Sequence, residues 1–313
     1  MTQQVVLDTI DFIKKRILLS CCEEMGLLFF GGEPLLASKQ VIEIGSEIKK
    51  FCDERGIVFH SEIISNGIAF SPQLADILIP QINLTRLQIT LDGLENTHDS
   101  AKGIPCFKRV LKNIVANAEK TDISIRLNVS SKNKDEIPTL VHILLDEFDL
   151  DGKIRIYLAR VDDLDSCGLP GEGCLDNYAF VDFRNNLIRD EMRTHTSFIA
   201  NDLLPDIKRN YCGYEKISQV MIGPKGELYR CQRTMGNPSN AIGDIYTGSF
   251  YSDDELSLFR PLDPKCLECN LLPTCFGGCP NERRKGKPIS YCNLKRVQIE
   301  KDLLTYVKIV TNS

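Results

Sequence analysis

Seven cysteines in the last third of the chain fall into one interlocking pattern, and thiols so placed are suited to holding metal. Thirteen residues separate Cys212 from Gly226, and four more separate Gly226 from Cys231. Cys266, Cys269, Cys275 and Cys279 follow, with two, five and three residues between successive members, and then Cys292. Iron–sulfur clusters take four thiolates each, and short-spaced pairs completed by distant cysteines suit their geometry. Zinc also accepts four thiolates, but its usual signature is two separate knuckles with short spacers. One run of four shared with flanking singles points to interleaved sites, with a structural zinc module as the alternative. Tyr229 ahead of Arg230-Cys231, and Gly277-Gly278 ahead of Cys279, fit tight loops whose amides approach a cluster and tune its potential.

A second set of chemistry-bearing residues lies nearer the start. Leu27–Phe30 reads as a buried strand running into Gly31-Gly32-Glu33-Pro34, where glycine permits positive φ and close approach by a ligand. Ser65-Asn66-Gly67, Thr90-Leu91-Asp92-Gly93 and Arg126-Leu127-Asn128-Val129 sit at the ends of the next three apolar runs. Taken alone, each is a turn with a polar residue.

The elements that must position these residues are legible. Val6, Ile10, Ile13 and Ile17 recur at helical spacing. Apolar runs at Gly26–Phe30, Ile57–Ile64, Arg86–Leu91, Ile123–Val129 and Lys153–Leu158 predict strands, with helices over about 37–54, 71–79, 105–119 and 134–147. Strand–helix alternation of this kind predicts a parallel sheet covered by helices, an open or closed α/β barrel with its chemistry at the loops following the strands. Such a domain normally opens on a strand. Here a helix comes first, as if a first strand and its loop were missing. Residues 1–161 form this partial (β/α) barrel, 162–209 a linker and bridging helix near 177–193, and 210–313 the cysteine module, with a C-terminal helix over about Leu294–Val310.

The bulk numbers set limits. With 38 basic and 43 acidic residues in 313, the chain has no global attraction for nucleic acid or anionic membrane. No apolar run approaches a membrane span, and Met1-Thr2-Gln3-Gln4 does not read as a signal peptide. Thirteen cysteines without such a signal imply a reducing cytoplasm.

The cysteine array resembles the SPASM module of radical S-adenosylmethionine (radical-SAM) enzymes, which has a β-hairpin and binds two auxiliary 4Fe-4S clusters. The resemblance implies that Cys212, Cys231 and Cys279 hold the first cluster, and Cys266, Cys269, Cys275 and Cys292 the second. A fourth ligand for the first is open between Cys174, Cys167 and a substrate thiolate. The strand ends resemble those of the same family over roughly residues 5–160. By that likeness Gly31, Gly32 and Glu33 hold the amino group of S-adenosylmethionine, and Asn66, Thr90 and Asn128 meet its sulfonium side or ribose. Glu95–Asp99 matches a family loop in which an arginine usually follows; this chain has Lys102.

One departure is large. Family members carry three cysteines, spaced by three and two residues, for the cluster that reduces S-adenosylmethionine. No three cysteines here have that spacing: Cys21 and Cys22 are adjacent, and Cys52 and Cys106 read as buried structural thiols. This chain therefore does not ligate the radical-SAM cluster, and an N-terminally truncated form is expected. The resemblance implies a maturase that modifies a peptide or protein, with a reductant such as flavodoxin or ferredoxin. Gln232 stands where sulfatase-maturing members carry aspartate, so a ribosomally made peptide is the preferred substrate. The competing reading is a non-catalytic protein that binds two clusters, transfers electrons or serves as a partner subunit. The basic stretch Arg283, Arg284, Lys285 and Lys287 reads as a solvated loop or a grip for an acidic peptide, and His60, His98, His142 and His195 show no ligand spacing.

Overall fold

The computed structural model describes residues 1–161, 173–197, 203–208, 212–216, 218–249, 264–284 and 291–311. The predicted linker composition at 162–171 and the predicted module start at Asn210 fall outside them. Packing divides the chain into two units: Met1–Cys21 with Leu203–Leu303, and Cys22–Asp202 with the chain from Leu304 onward.

The chain opens on helix α1 (Gln3–Ser20), started by Thr2, whose side chain accepts from the Val5 amide. In the other unit, β1 (Glu24–Phe29), β2 (Val58–Ser65), β3 (Leu84–Leu91), β4 (Asp122–Val129) and β5 (Ile154–Arg160) form one parallel sheet in chain order. The crossovers run through α2 (Ser38–Asp53), α3 (Pro72–Ile82), α4 (Glu95–Lys102) with α5 (Phe107–Asn117), and α6 (Ile137–His142), which continues into a π-helical turn at Ile143–Glu147. Helix α7 (Asn177–Leu187) follows β5, capped by Asp176. All five predicted strands are present, in an α/β parallel architecture. Helix α4 was not expected, because its only buried side chain is a histidine, His98, and it carries no apolar stripe.

The sheet has two unlike faces. Side chains alternate along a strand, and here one set is buried: Ile63, Leu87, Ile89, Leu91, Ile123, Ile125, Leu127 and Val129 are each at most 1% exposed. The other set is polar and open. Arg86 pairs with Glu62 at 3.4 Å and Asp122 at 3.7 Å, Arg155 also pairs with Asp122, and Tyr157 donates to Gln88 at 2.7 Å. Helices therefore bury only one face. Strand β1 sits at the sheet edge with no fully buried residue.

Side chains from neighbouring elements hold the turns at the strand ends. Gly67 has φ +79°, and a Cβ there would stand 3.0 Å from both Ile89 and Val110, so only glycine closes the turn after β2. Buried Asn113 on α5 donates to the carbonyls of Gly67 at 2.8 Å and Ile68 at 3.2 Å.

In the unit containing α1, β6 (Met221–Ile222), β7 (Glu227–Tyr229), β8 (Gly243–Asp244) and β9 (Gly248–Ser249) form an antiparallel sheet, whose first two strands are a hairpin. Its core is Leu228, Ile242 and Ile245, and Val5 and Phe12 of α1 pack against it. Helix α1 thus lends Val5 and Phe12 to the small sheet, whose two- and three-residue strands bury too little alone. Short helices α8 (Pro264–Leu267), α9 (Leu272–Cys275) and α10 (Pro280–Arg284) precede α11 (Tyr291–Thr311).

Replacing Asn113 by Ala leaves two buried carbonyls without a donor. Urea denaturation is expected to show a loss of about 1–3 kcal/mol; a change below about 0.5 kcal/mol would mean the turn holds itself.

Candidate functional site

Two groups of residues carry the chemistry, one in each unit. At the carboxyl edge of the parallel sheet lie Gly31, Gly32 and Glu33 after β1, Asn66 after β2, Thr90 in the last turn of β3 and Asn128 near the end of β4. Gly31 has φ +144°, and nothing lies within 4 Å of where a Cβ would stand on Gly31 or Gly32, so this backbone is open to a ligand. Glu33 is already engaged. Its Oε1 accepts from the Leu35 amide at 3.0 Å and Ser65 Oγ at 2.9 Å, and its Oε2 from the Asn66 amide at 2.7 Å. An ionised carboxylate offers about four acceptor positions, which leaves room for one further donor. Glu33 thus ties the turn after β1 to the turn after β2, a task the sequence did not reveal.

Asn128 is likewise committed. Its Nδ2 donates to Asp92 Oδ1 at 2.8 Å and its Oδ1 accepts from Arg126 Nε at 2.9 Å. Asp92 also meets Lys102 Nζ at 2.7 Å, so Lys102, where the family pattern has arginine, points its charge at this network. Asn133 donates to the carbonyls of Asp92 at 2.5 Å and Asn128 at 2.7 Å. Glu136 accepts from the Leu94 amide at 2.8 Å and Thr97 Oγ1 at 2.6 Å, joining the loops after β3 and β4. These ties span about forty residues of sequence, which is why pattern reading missed them. Asn66 accepts from the Ile68 amide through Oδ1 at 3.0 Å, leaving its amide donors out of the turn. Thr90 is half-buried on the open face.

His98 is buried beside this network, its ring tilted on Phe107 at 5.7 Å, and its Nδ1 accepts from the Asp92 amide at 3.2 Å. Burial lowers its pKa, opposed by Asp92, so the folded protein holds it neutral. Cys52 and Cys106 are buried and burial pushes both thiols up, as inert structural thiols require.

The second group is the thiols. Cys212 opens the turn Gly213–Glu215, Cys231 lies one residue (Arg230) beyond β7, and Cys279 follows Gly277 and Gly278, both at positive φ. Partial burial raises the pKa of the Cys212 thiol, and the nearby Cys279, Glu215 and Cys231 raise it further, so these three thiols share one neighbourhood. Two arginines fix it. Arg230, nearly buried, donates from Nη1 to the carbonyls of Lys216 and Gln219, each at 2.9 Å, and from Nη2 to that of Tyr214. Arg283 pairs with Glu215 at 2.6 Å and donates to the carbonyls of Phe276 and Gly278, each at 3.2 Å. It therefore links the Cys212 turn to the Cys279 turn. The basic stretch is not wholly a solvated loop: Arg283 is an internal tie, while Lys285 and Lys287 lie outside the described residues.

Cys266, Cys269, Cys275 and Cys292 line a single cavity of about 30 Å³ together with Leu271 and Leu272. Lys295 and Arg296 also border it, and Arg296 Nη2 lies 3.4 Å from Cys269 Sγ. No described cysteine is in a disulfide. Among the described residues no three His, Cys, Asp or Glu side chains meet closely enough to hold a metal ion. The thiols are gathered but not drawn to one point. Cys174 is half-buried and belongs to the sheet unit, and Cys167 lies outside the described residues.

No protein-family model matches this chain. No curated protein matches it either. Among solved structures, anSMEcpe with bound AdoMet matches with a TM-score of 0.72 at 19% identity, covering 100% of this chain and 91% of that one. Streptococcus suis SuiB bound to precursor peptide SuiA matches with a TM-score of 0.60 at 17% identity, covering 89% and 66%. These neighbours, an anaerobic sulfatase maturase and SuiB, are radical-SAM enzymes, and at such identity the likeness is one of fold. Among the described residues no helix is long and apolar enough to cross a membrane.

Two outcomes are expected. Below about pH 6.5, the ordinary histidine value, the unfolded state takes a proton at His98 that the folded state resists. Stability therefore falls with pH in the window from 6.5 downward. A pH series of urea melts is expected to show that fall, and His98→Gln to flatten it. Arg283→Ala removes the cation paired with Glu215, whose side chain is 2% exposed, and is expected to cost about 3–5 kcal/mol. The double change with Glu215→Gln is expected to recover part of the loss.

Proposed function

We propose that this chain is a radical-SAM/SPASM-type maturase of peptides or proteins that holds two auxiliary 4Fe-4S clusters. The observation that carries the reading is the sorting of seven thiols into two neighbourhoods: Cys212, Cys231 and Cys279 in one, and Cys266, Cys269, Cys275 and Cys292 around one cavity. Four thiols around one cavity match the number of thiolates that a four-iron cluster takes. The donor set fits as well, since soft thiolates with nearby amides and arginines match a cluster's needs. When bound, such clusters supply one-electron transfer or a binding position for a substrate thiolate.

The chain's own residues supply the rest. Arg230 and Arg283 keep the Cys212, Cys231 and Cys279 turns in register. At the sheet edge, the open backbone of Gly31 and Gly32, the remaining acceptor position on Glu33, and the half-open Asn66, Thr90 and Asn128 suit the amino group and polar body of S-adenosylmethionine. The peptide partner is drawn from the neighbours, one of which is SuiB bound to precursor peptide SuiA and another anSMEcpe with bound Kp18Cys peptide. A ribosomally made peptide, a flavodoxin or ferredoxin reductant and a cytoplasmic setting complete the reading.

The residues present do not fit the cluster that reduces S-adenosylmethionine. Cys21 is an exposed αL cap on α1, and adjacent Cys22 cannot complete a three-cysteine loop with it. This favours a second reading, a non-catalytic protein that binds two clusters.

Anaerobic reconstitution is expected to give brown protein with about eight irons per chain, as two four-iron clusters require. Colourless protein with stoichiometric zinc would refute the reading. With dithionite and S-adenosylmethionine, the chain alone is expected to release no 5′-deoxyadenosine, checked by chromatography. Turnover above background would show that it makes its own radical cluster.

A further inference from the structure

Among the described residues, a charged side chain reaches one of the thiols. Arg296 Nη2 stands 3.4 Å from Cys269 Sγ, within reach of a hydrogen bond to sulfur. Cys292, Lys295 and Arg296 are at i, i+3 and i+4 on α11, hence on one helix face, and all three border the cavity. Arg230 and Arg283, in contrast, are engaged with backbone carbonyls and with Glu215. The four-thiol cavity therefore has a cationic wall built on the helix that also supplies its most distant thiol.

We propose that Arg296 is a positioning residue that sets the reduction potential of the group held by Cys266, Cys269, Cys275 and Cys292. This rests on the two-cluster reading above. A cluster held by four thiolates is already anionic, and each added electron makes it more so. A fixed positive charge donating to one of its sulfurs favours the reduced form and raises the potential. Arginine keeps its proton throughout, so the step is the transfer of one electron from a donor such as dithionite, with no accompanying proton. Lys295 adds charge without the planar fork that directs two donors at once.

The test is an EPR-monitored redox titration of the reconstituted full chain and of two variants, with iron counted in each. Arg296 is exposed, so its replacement leaves the packing undisturbed. In Arg296→Gln one of the two cluster waves is expected to move down. The ratio of reduced to oxidised cluster at fixed potential falls about tenfold, which is about 59 mV for one electron. The other wave stays in place as an internal control, and iron content is unchanged. Arg296→Lys, which keeps the charge, is expected to restore most of the shift. If both waves stay put in Arg296→Gln at full iron content, Arg296 does not set the potential. If that variant loses iron instead, Arg296 is a structural prop and the proposal also falls. Wild-type chain that takes up no iron overturns the two-cluster reading, and this inference with it, whereas unmoved waves overturn this inference alone.

Discussion

Thiols close enough to share a cluster repel one another once ionised, and that constraint shapes the smaller unit. Burial raises the pKa of the Cys212 thiol, and the charges of Cys279, Glu215 and Cys231 add to it. Three arginines answer it by different means. Arg230 and Arg283 work through the backbone, drawing carbonyls around themselves so that the turns bearing Cys212, Cys231 and Cys279 stay together. Arg296 acts directly on a sulfur. Arginine suits all three places because its planar fork can donate to several acceptors at once and never loses its charge. The strands of this unit are only two or three residues long, so order here depends on these polar ties and on the small core of Leu228, Ile242 and Ile245.

The sheet unit solves the opposite problem with carboxylates. Its strands are fixed by an apolar face, but the turns at their ends must be held apart from one another in defined positions. Glu33 joins the turns after β1 and β2, Asp92 and Glu136 join those after β3 and β4, and Asp99 accepts from the Cys106 and Phe107 amides to start α5. Glu33, Glu136 and Asp99 each take two or more donors. A ligand at this edge therefore meets side chains that already have structural work. The least committed groups are the Gly31 and Gly32 backbone and the remaining acceptor position on Glu33.

Much of this was legible in the sequence where a local pattern produced it. Period-two alternation and apolar runs placed all five strands, and helical spacing placed α1, α2, α3, α5 and α11, because burial of one face writes itself into nearby residues. The seven cysteines stand out by their spacing, while their division into three and four is what the resemblance implies; Cys266, Cys269, Cys275 and Cys292 line one cavity. What was not legible is non-local. Nothing near Glu136 announces that it accepts from Leu94, 42 residues away, and nothing near Arg283 announces Glu215, 68 residues away.

The catalytic and non-catalytic readings share the thiols, so the sheet must separate them. An electron-transfer protein needs its clusters shielded and connected; it has no use for a carboxyl edge furnished with polar groups. This chain maintains such an edge. It keeps Gly31 at φ +144°, a conformation other residues rarely adopt, at a point where no side chain would be obstructed. It keeps Arg126, Asn128, Asp92 and Lys102 in one connected network beside a buried neutral histidine. Packing alone would be better served by apolar residues, because half-satisfied polar groups next to a core are costly. A glycine turn free of steric need, next to acceptors with room for one more donor, is understandable if a small molecule with an amino group binds there. That argument favours an enzyme's substrate-binding edge over an electron carrier, and it does so without appeal to the clusters.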